Sequence, residues 1–205
     1  MAEAKQADTV PGDFNEADYD VIYYATASCP FSLRVRSVLE AKAIKYRFVE
    51  SVWKYDFSSG QKVTVKEKWF TDLYAKAIGR NHSADGQSPI IKIVKEQKLY
   101  TDSLHCCRFL DVRFKDVGAS VLCLDDADKT YKNEKLLEFI NSGFASKVWG
   151  LKTKENIDAL KEALTALDAK MREFGDDKVS DKYIFGENVS LCDICLLPYF
   201  IQIQA

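Results

Sequence analysis

A chain of 205 residues with 29 basic residues, 31 acidic residues and six cysteines can bury a real core, either as one domain or as two modest ones. A formal net charge of -2 and a pI near 5.8 argue against nucleic acid as a partner, and no block of like charge marks an interaction tail. No stretch reaches about 18 consecutive apolar residues, so a stable membrane span is not expected; the start also lacks the basic and apolar regions of a secretory signal, which points to the cytoplasm and to cysteines that are mostly free thiols.

Residues 1–18 are polar and acidic with Pro11 and Gly12, and read as a flexible N-terminal extension. Residues 21–25 are β-rich. Residues 31–42 put Val35, Val38 and Leu39 on one helical face, and 45–52 are extended again. Strand, helix, strand is a βαβ opening with a parallel pair. Residues 55–86 are polar, with a helix expected around 65–78 and loop chemistry at Gly79, Asn81, Ser83, Asp85 and Gly86. Two short strands at hairpin spacing follow, 90–94 and 98–101, and a helix carrying Leu104, Cys107 and Leu110 starts at Asp102 or Ser103.

The pattern lapses over 114–128, through Gly118 and the acidic group Asp125, Asp126 and Asp128. This stretch reads as a linker between an N-terminal domain of 19–113 and an all-helical domain of 129–205. In the latter, Leu137, Ile140, Phe144 and Val148 recur at helical spacing, as do Ile157, Leu160, Leu164, Leu167, Met171 and Phe174. The last helix opens with Ser190-Leu-Cys-Asp193, a capping-box pattern with Asp in the place of Glu.

Cys29-Pro-Phe-Ser32, directly after an apolar strand, is the strongest local signal. A helix starting there aims its unpaired N–H groups and its positive dipole end at Cys29, and both favour thiolate. Pro30 suits the first helical turn. The bland alternative is a buried cysteine that packs as a small hydrophobe. A C-x-x-S turn lacks a resolving thiol, so a mixed disulfide on Cys29 must be attacked from outside.

Ser88-Pro89, beside a βαβ unit with this turn, is expected to be cis. Asp102-Ser103 opens a helix as an ordinary N-cap, and the same N–H groups, hydroxyl and carboxylate would suit a ligand carboxylate and an α-amino group. Cys192-Asp-Ile-Cys195 has no second pair at zinc-like spacing and no nearby His, so core packing is favoured over metal or redox chemistry. Cys106-Cys107 reads the same way. His82 and His105 show no carboxylate partner in the sequence and take no catalytic role from position.

Together these residues resemble the cytosolic glutathione transferase superfamily, and within it the omega class. C-P-F-S-L-R-V-R-S-V-L-E-A-K-A-I-K-Y over 29–46 is similar to that class's cysteine turn and first helix, and S-P-I-I over 88–91 sits where its cis-proline strand begins. D-S-L-H-C-C-R-F-L-D over 102–111 resembles its acidic-Ser helix, and Y-I-F-G-E-N-V-S-L-C-D-I-C-L-L-P over 183–198 the superfamily's C-terminal capping motif. The resemblance runs through nearly the whole chain after residue 18.

It implies an α/β thioredoxin-like N-terminal domain followed by an all-α C-terminal domain, which reads as shortened after Pro198. It further implies a thioltransferase or dehydroascorbate reductase with glutathione as co-substrate, no metal, and a small oxidised or electrophilic second substrate; a homodimer is compatible with it. Cys29 would form the mixed disulfide with glutathione, with Phe31 as a wall. Ser88 would pair its backbone with the cysteinyl part ahead of cis-Pro89, Asp102 and Ser103 would hold the γ-glutamyl end, and Lys66 would meet the glycine carboxylate. Asp102 stands where the class usually has Glu, which shortens the reach. The segment from Trp69 to Pro89 is longer than in the class. Other readings are a glutathione-conjugating transferase, a chloride-intracellular-channel-like protein sharing the C-P-F-S turn, and a scaffold domain.

Overall fold

The computed structural model describes residues 10–56, 63–81, 86–149, 154–175 and 182–204. His82, Ser83 and Asp85 lie outside the described residues. Contacts divide the chain into two units, one of Met1–Val35 with Ile44–Cys106 and one of Arg36–Ala43 with Cys107–Ala205.

The first unit is built on a four-stranded sheet. β1 (Val21–Ala25) pairs in parallel with β2 (Tyr46–Glu50), from Val21 opposite Tyr46 to Ala25 opposite Glu50. The start of α1 (Pro30–Ala41) makes the crossover that a parallel pair requires. On its other side β1 runs antiparallel to β5 (Ile90–Ile93), which pairs antiparallel with β6 (Lys98–Thr101), for an order β2-β1-β5-β6. All five residues of β1 are buried, the signature of a central strand covered on both faces. Ile22, Tyr24, Val49 and Ile90 on one face pack with Trp69 and Phe70, which come from α2 (Lys68–Ala77). Phe14, from the lead-in read as flexible, packs against this cluster, and Glu16 pairs with Lys92 at 2.6 Å. Between β5 and β6 the hairpin turns through a 3-10 turn, Val94–Glu96, and Gln97 at φ +53°.

One element differs from expectation. The helix expected around 65–78 begins only at Lys68, and residues before it form an antiparallel hairpin of β3 (Trp53–Asp56) and β4 (Val63–Lys66), with Trp53 opposite Lys66. The β-branched run Val63-Thr64-Val65 favours extended backbone over helix, a preference the polar flanks conceal.

The second unit is helical. α3 (Ser103–Arg113) brings its second half into it, and α4 (Ala127–Phe139) opens on Asp126, whose carboxylate accepts the N–H groups of Asp128 and Lys129. α4 runs through a π segment, Ile140–Phe144, into α5 (Ala145–Trp149). There the Asn141 amide and the Ser142 hydroxyl donate to the carbonyls of Leu137 and Glu138 at 2.8 and 2.7 Å, satisfying groups that a widened turn leaves poorly paired. α6 (Lys154–Phe174) buries Leu160, Ala163 and Leu167, while Ile157 in its opening turn stays exposed. α7 (Leu191–Gln204) starts with the expected box: Ser190 donates its N–H and hydroxyl to the Asp193 carboxylate at 2.8 and 2.6 Å, and the Asp193 N–H returns to the Ser190 hydroxyl at 3.3 Å.

The interior of this unit is locked by one ion pair. Lys42 and Asp111 are both fully buried and meet at 2.8 Å. Lys42 also donates to the Ala119 carbonyl at 3.3 Å, while Asp111 accepts from the Ser120 hydroxyl at 2.7 Å and from the N–H groups of Val121 and Leu122 at 3.1 and 3.0 Å. Gly118, at φ +62°, lets the loop approach: a Cβ there would stand 2.8 Å from the Lys42 Cα. Among the described residues no helix is long and apolar enough to cross a membrane.

Candidate active site

Cys29 sits between β1 and α1. Its N–H donates to the Thr26 carbonyl at 3.1 Å and its carbonyl accepts the Leu33 N–H at 3.0 Å, the bond that opens α1. Pro30 is the first helical residue, where a missing N–H leaves nothing unpaired. The thiol is partly exposed, and its sulfur lies 3.9 Å from the Ser88 carbonyl oxygen. The Ser88-Pro89 bond is cis.

Ser88 also reaches the turn with its side chain. Its hydroxyl accepts the Thr26 N–H at 3.0 Å and stands 2.7 Å from the Ser32 hydroxyl. Thr26 donates its own hydroxyl to the Ser51 carbonyl at 2.9 Å, and the Tyr23 hydroxyl donates to the Ser32 carbonyl at 2.6 Å. In the sequence Ser32 stands out only as the absence of a second thiol, and Thr26 carries no signal. Partners 56 and 62 residues away along the chain leave no local pattern.

Phe31 is partly exposed, with the buried Arg34 guanidinium 5.1 Å from its ring centroid. Lys66, at the end of β4, is buried with its ammonium 4.2 Å from the Phe70 ring centroid. Burial pushes it down to about 8, and a thiolate at Cys29 would act in the opposite direction.

The start of α3 is tied to the same loop, because the Thr101 hydroxyl donates to the Pro89 carbonyl at 2.9 Å. Asp102 stands at φ +70° and its Oδ1 accepts the N–H groups of Leu104 and His105, both at 3.0 Å. The ordinary N-cap reading of Asp102 therefore holds. Ser103 is buried in the first turn. His105, without a carboxylate partner in the sequence reading, has Asp102 Oδ1 3.8 Å from its Nδ1. The structure thus gathers Cys29, Ser32 and Ser88-Pro89, with Asp102 and Ser103 joined to the proline loop through Thr101.

The other cysteines sit in different surroundings. Cys106, Cys107, Cys192 and Cys195 are buried and Cys123 is half-buried. Cys192 donates to the Asn133 carbonyl at 3.1 Å, and burial raises its thiol well above the usual range, with Cys195 and Asp193 adding to the effect. Cys106 is raised by burial and by Asp102, and Cys123 goes up to about 11 through burial and Asp125. Such thiols stay protonated and pack. Among the described residues no group of three or more His, Cys, Asp or Glu is placed to hold a metal ion.

Residues 28–113 match the family model of the glutathione S-transferase N-terminal domain. No curated protein sequence matches the chain. Solved structures do. A trimeric glutathione transferase of Leishmania, TDR1, superposes with a TM-score of 0.67 at 17% identity, covering 90% of this chain and 36% of its own. An omega 3C glutathione transferase from Trametes versicolor gives 0.65 at 23% identity, covering 90% and 73%. Rice GST1 (OsGSTU1), in complex with glutathione, gives 0.63 at 17% identity, covering 89% and 74%. The chain spans about a third of the length of the Leishmania protein and about three quarters of the other two. Cys29 thus lies in the segment that matches the glutathione S-transferase N-terminal domain, and the chain has a thioredoxin-like domain followed by a helical region, the fold seen in solved glutathione transferases.

Proposed function

We propose that this chain is a glutathione-dependent thioltransferase of the omega kind, with dehydroascorbate reductase activity, acting through Cys29. The observation that carries this reading is the partly exposed Cys29 thiol at the mouth of α1, facing the Ser88 carbonyl, with a serine in place of a second thiol at position 32. Cys29 thiolate attacks the glutathione sulfur of a glutathionyl mixed disulfide, forms Cys29–S–S–glutathione and releases the substrate thiolate, which takes a proton. A second glutathione thiolate then attacks the glutathione sulfur, leaving oxidised glutathione and restoring Cys29. With a glutathionyl mixed disulfide one free glutathione is consumed, the other half of the oxidised glutathione coming from the substrate. With dehydroascorbate two glutathiones are consumed, and their two electrons and two protons convert the substrate to ascorbate while they leave as oxidised glutathione.

In this reading the Ser88 backbone pairs with the cysteinyl part of glutathione, Phe31 walls it, and Asp102 and Ser103 take the γ-glutamyl end. The Asp102 oxygen not used in capping faces the α-amino group. Lys66 supplies positive charge to the glycine carboxylate. The similarity to the omega 3C glutathione transferase of Trametes versicolor and to the rice protein in complex with glutathione supports the ligand class. The protein acts in the cytoplasm, where its thiols stay reduced, and a homodimer fits the same reading.

The test is steady-state reduction of a glutathionyl mixed disulfide and of dehydroascorbate by wild type and Cys29→Ser. Turnover is expected in the first and none in the second. Full activity in Cys29→Ser overturns the assignment, and aryl-halide conjugation that survives the substitution replaces it with a conjugating transferase.

A further inference from the structure

We infer that the Ser88 side chain, together with Ser32, is a positioning device that sets where the Cys29 thiol stands. Three contacts meet on this one residue: its hydroxyl takes the Thr26 N–H at 3.0 Å, the same hydroxyl pairs with that of Ser32 at 2.7 Å, and its carbonyl faces the Cys29 sulfur at 3.9 Å. Thr26 opens the turn that carries Cys29 and Ser32 lies in the first turn of α1 just after it, and the Cys29 N–H is itself bonded back to Thr26. One side chain therefore grips the chain on both sides of Cys29 while its own main chain fronts the thiol.

The grip is shielded on the turn side and braced from behind. Ser32 and Thr26 are 1% and 4% exposed, while Ser88 is half-buried, so water competes for these bonds only from the side of the proline loop. Tyr23 holds the Ser32 carbonyl and the Ser51 carbonyl holds the Thr26 hydroxyl. Ser32 and Ser88 share one hydrogen-bonded pair, so removing either hydroxyl breaks the same bond: Ser88→Ala takes it from Ser32 together with the bond to Thr26, while Ser32→Ala leaves Ser88 only the Thr26 N–H, and in both the turn loses a fixed point against the proline loop. The hydroxyl of position 32, where a dithiol enzyme would carry its second sulfur, is committed to the loop. This inference rests on the proposed function for its turnover readout, and on Cys29 reactivity alone for its other readout.

The experiment measures the pH profile of Cys29 alkylation by iodoacetamide, quantified on the Cys29 peptide, with kcat and KM for glutathione in mixed-disulfide reduction. The variants are Ser32→Ala, Ser88→Ala, the double variant and Ser88→Thr, which keeps the hydroxyl. Each single alanine is expected to change the limiting alkylation rate and lower kcat by about fivefold to tenfold, the scale of one buried hydrogen bond. The double variant should lose no more than the worse single, because both remove the same interaction, and Ser88→Thr should recover most of the rate. Alkylation and kcat within about twofold of wild type in both singles, with only thermal stability reduced, overturn the inference and leave the pair structural. Losses that multiply in the double variant overturn it as well. The alkylation pattern as expected in a wild type without turnover supports the positioning role and overturns the thioltransferase reading instead.

Discussion

Removing Asp111 should cost more than removing Lys42, although the two form one buried pair. Both are fully buried and 2.8 Å apart. Asp111→Ala strands an ammonium beside the Ala119 carbonyl at 3.3 Å, leaves the buried N–H groups of Val121 and Leu122 unpaired, and takes the acceptor of the half-buried Ser120 hydroxyl, which keeps only the Leu124 N–H. Stranding one member of a buried pair costs about 3–5 kcal/mol, and each unsatisfied buried donor adds about 1 kcal/mol or more. Lys42→Met leaves a carboxylate that still accepts three hydrogen bonds, so the expected cost is smaller, about 2–3 kcal/mol. Against a total stability of about 5–15 kcal/mol, Asp111→Ala removes a large share. The assay is urea unfolding followed by far-ultraviolet circular dichroism, which reads the helical unit; with an m-value of about 2 kcal/mol/M the Asp111→Ala midpoint should fall by about 2 M or more. Equal losses, or a larger loss in Lys42→Met, would refute the idea that the three extra donors carry the difference.

Further tests address the site and its surroundings. Below about pH 8 Lys66 is a cation and above it is neutral, so it should favour an anionic ligand only on the acid side. Binding of S-methylglutathione, whose sulfur cannot titrate, should be about tenfold weaker in Lys66→Met than in wild type near pH 7. The gap should close near pH 9.5; a gap constant with pH would exclude the charge as its source. In native protein a maleimide should label Cys29 first and reach Cys106, Cys107, Cys192 and Cys195 only on unfolding, which peptide mapping over time can check; early labelling of Cys192 would contradict its burial. Gly118→Ala should destabilise by about 2 kcal/mol or more, since φ +62° disfavours a side chain and the new Cβ would meet the Lys42 backbone. An unchanged melting temperature would contradict this.

What could be read from the sequence follows how local the causes are. The cysteine turn, the βαβ opening, the β5–β6 hairpin and the Ser190-Asp193 box are written within a few residues, by Pro at a first helical position, by alternation of apolar residues and by a capping spacing. The β3–β4 hairpin was hidden because its β-branched run sits in a polar stretch. Lys42 looked like an ordinary lysine near a helix end, and nothing near it announces Asp111, 69 residues on. Ser32 and Ser88 are likewise common residues whose meaning comes from the fold that brings them within 2.7 Å. Propensity and spacing thus located the thiol and its flanking loops, while the contacts that hold them together arise only once distant segments meet.

The most direct measurement of the central claim is the intact mass of the reduced protein after incubation with oxidised glutathione, with the adduct located by peptide mapping. One glutathionyl group on Cys29, released by added glutathione and absent in Cys29→Ser, is the expected result. Modification spread over Cys106, Cys107 and Cys123 with Cys29 unmodified would contradict it.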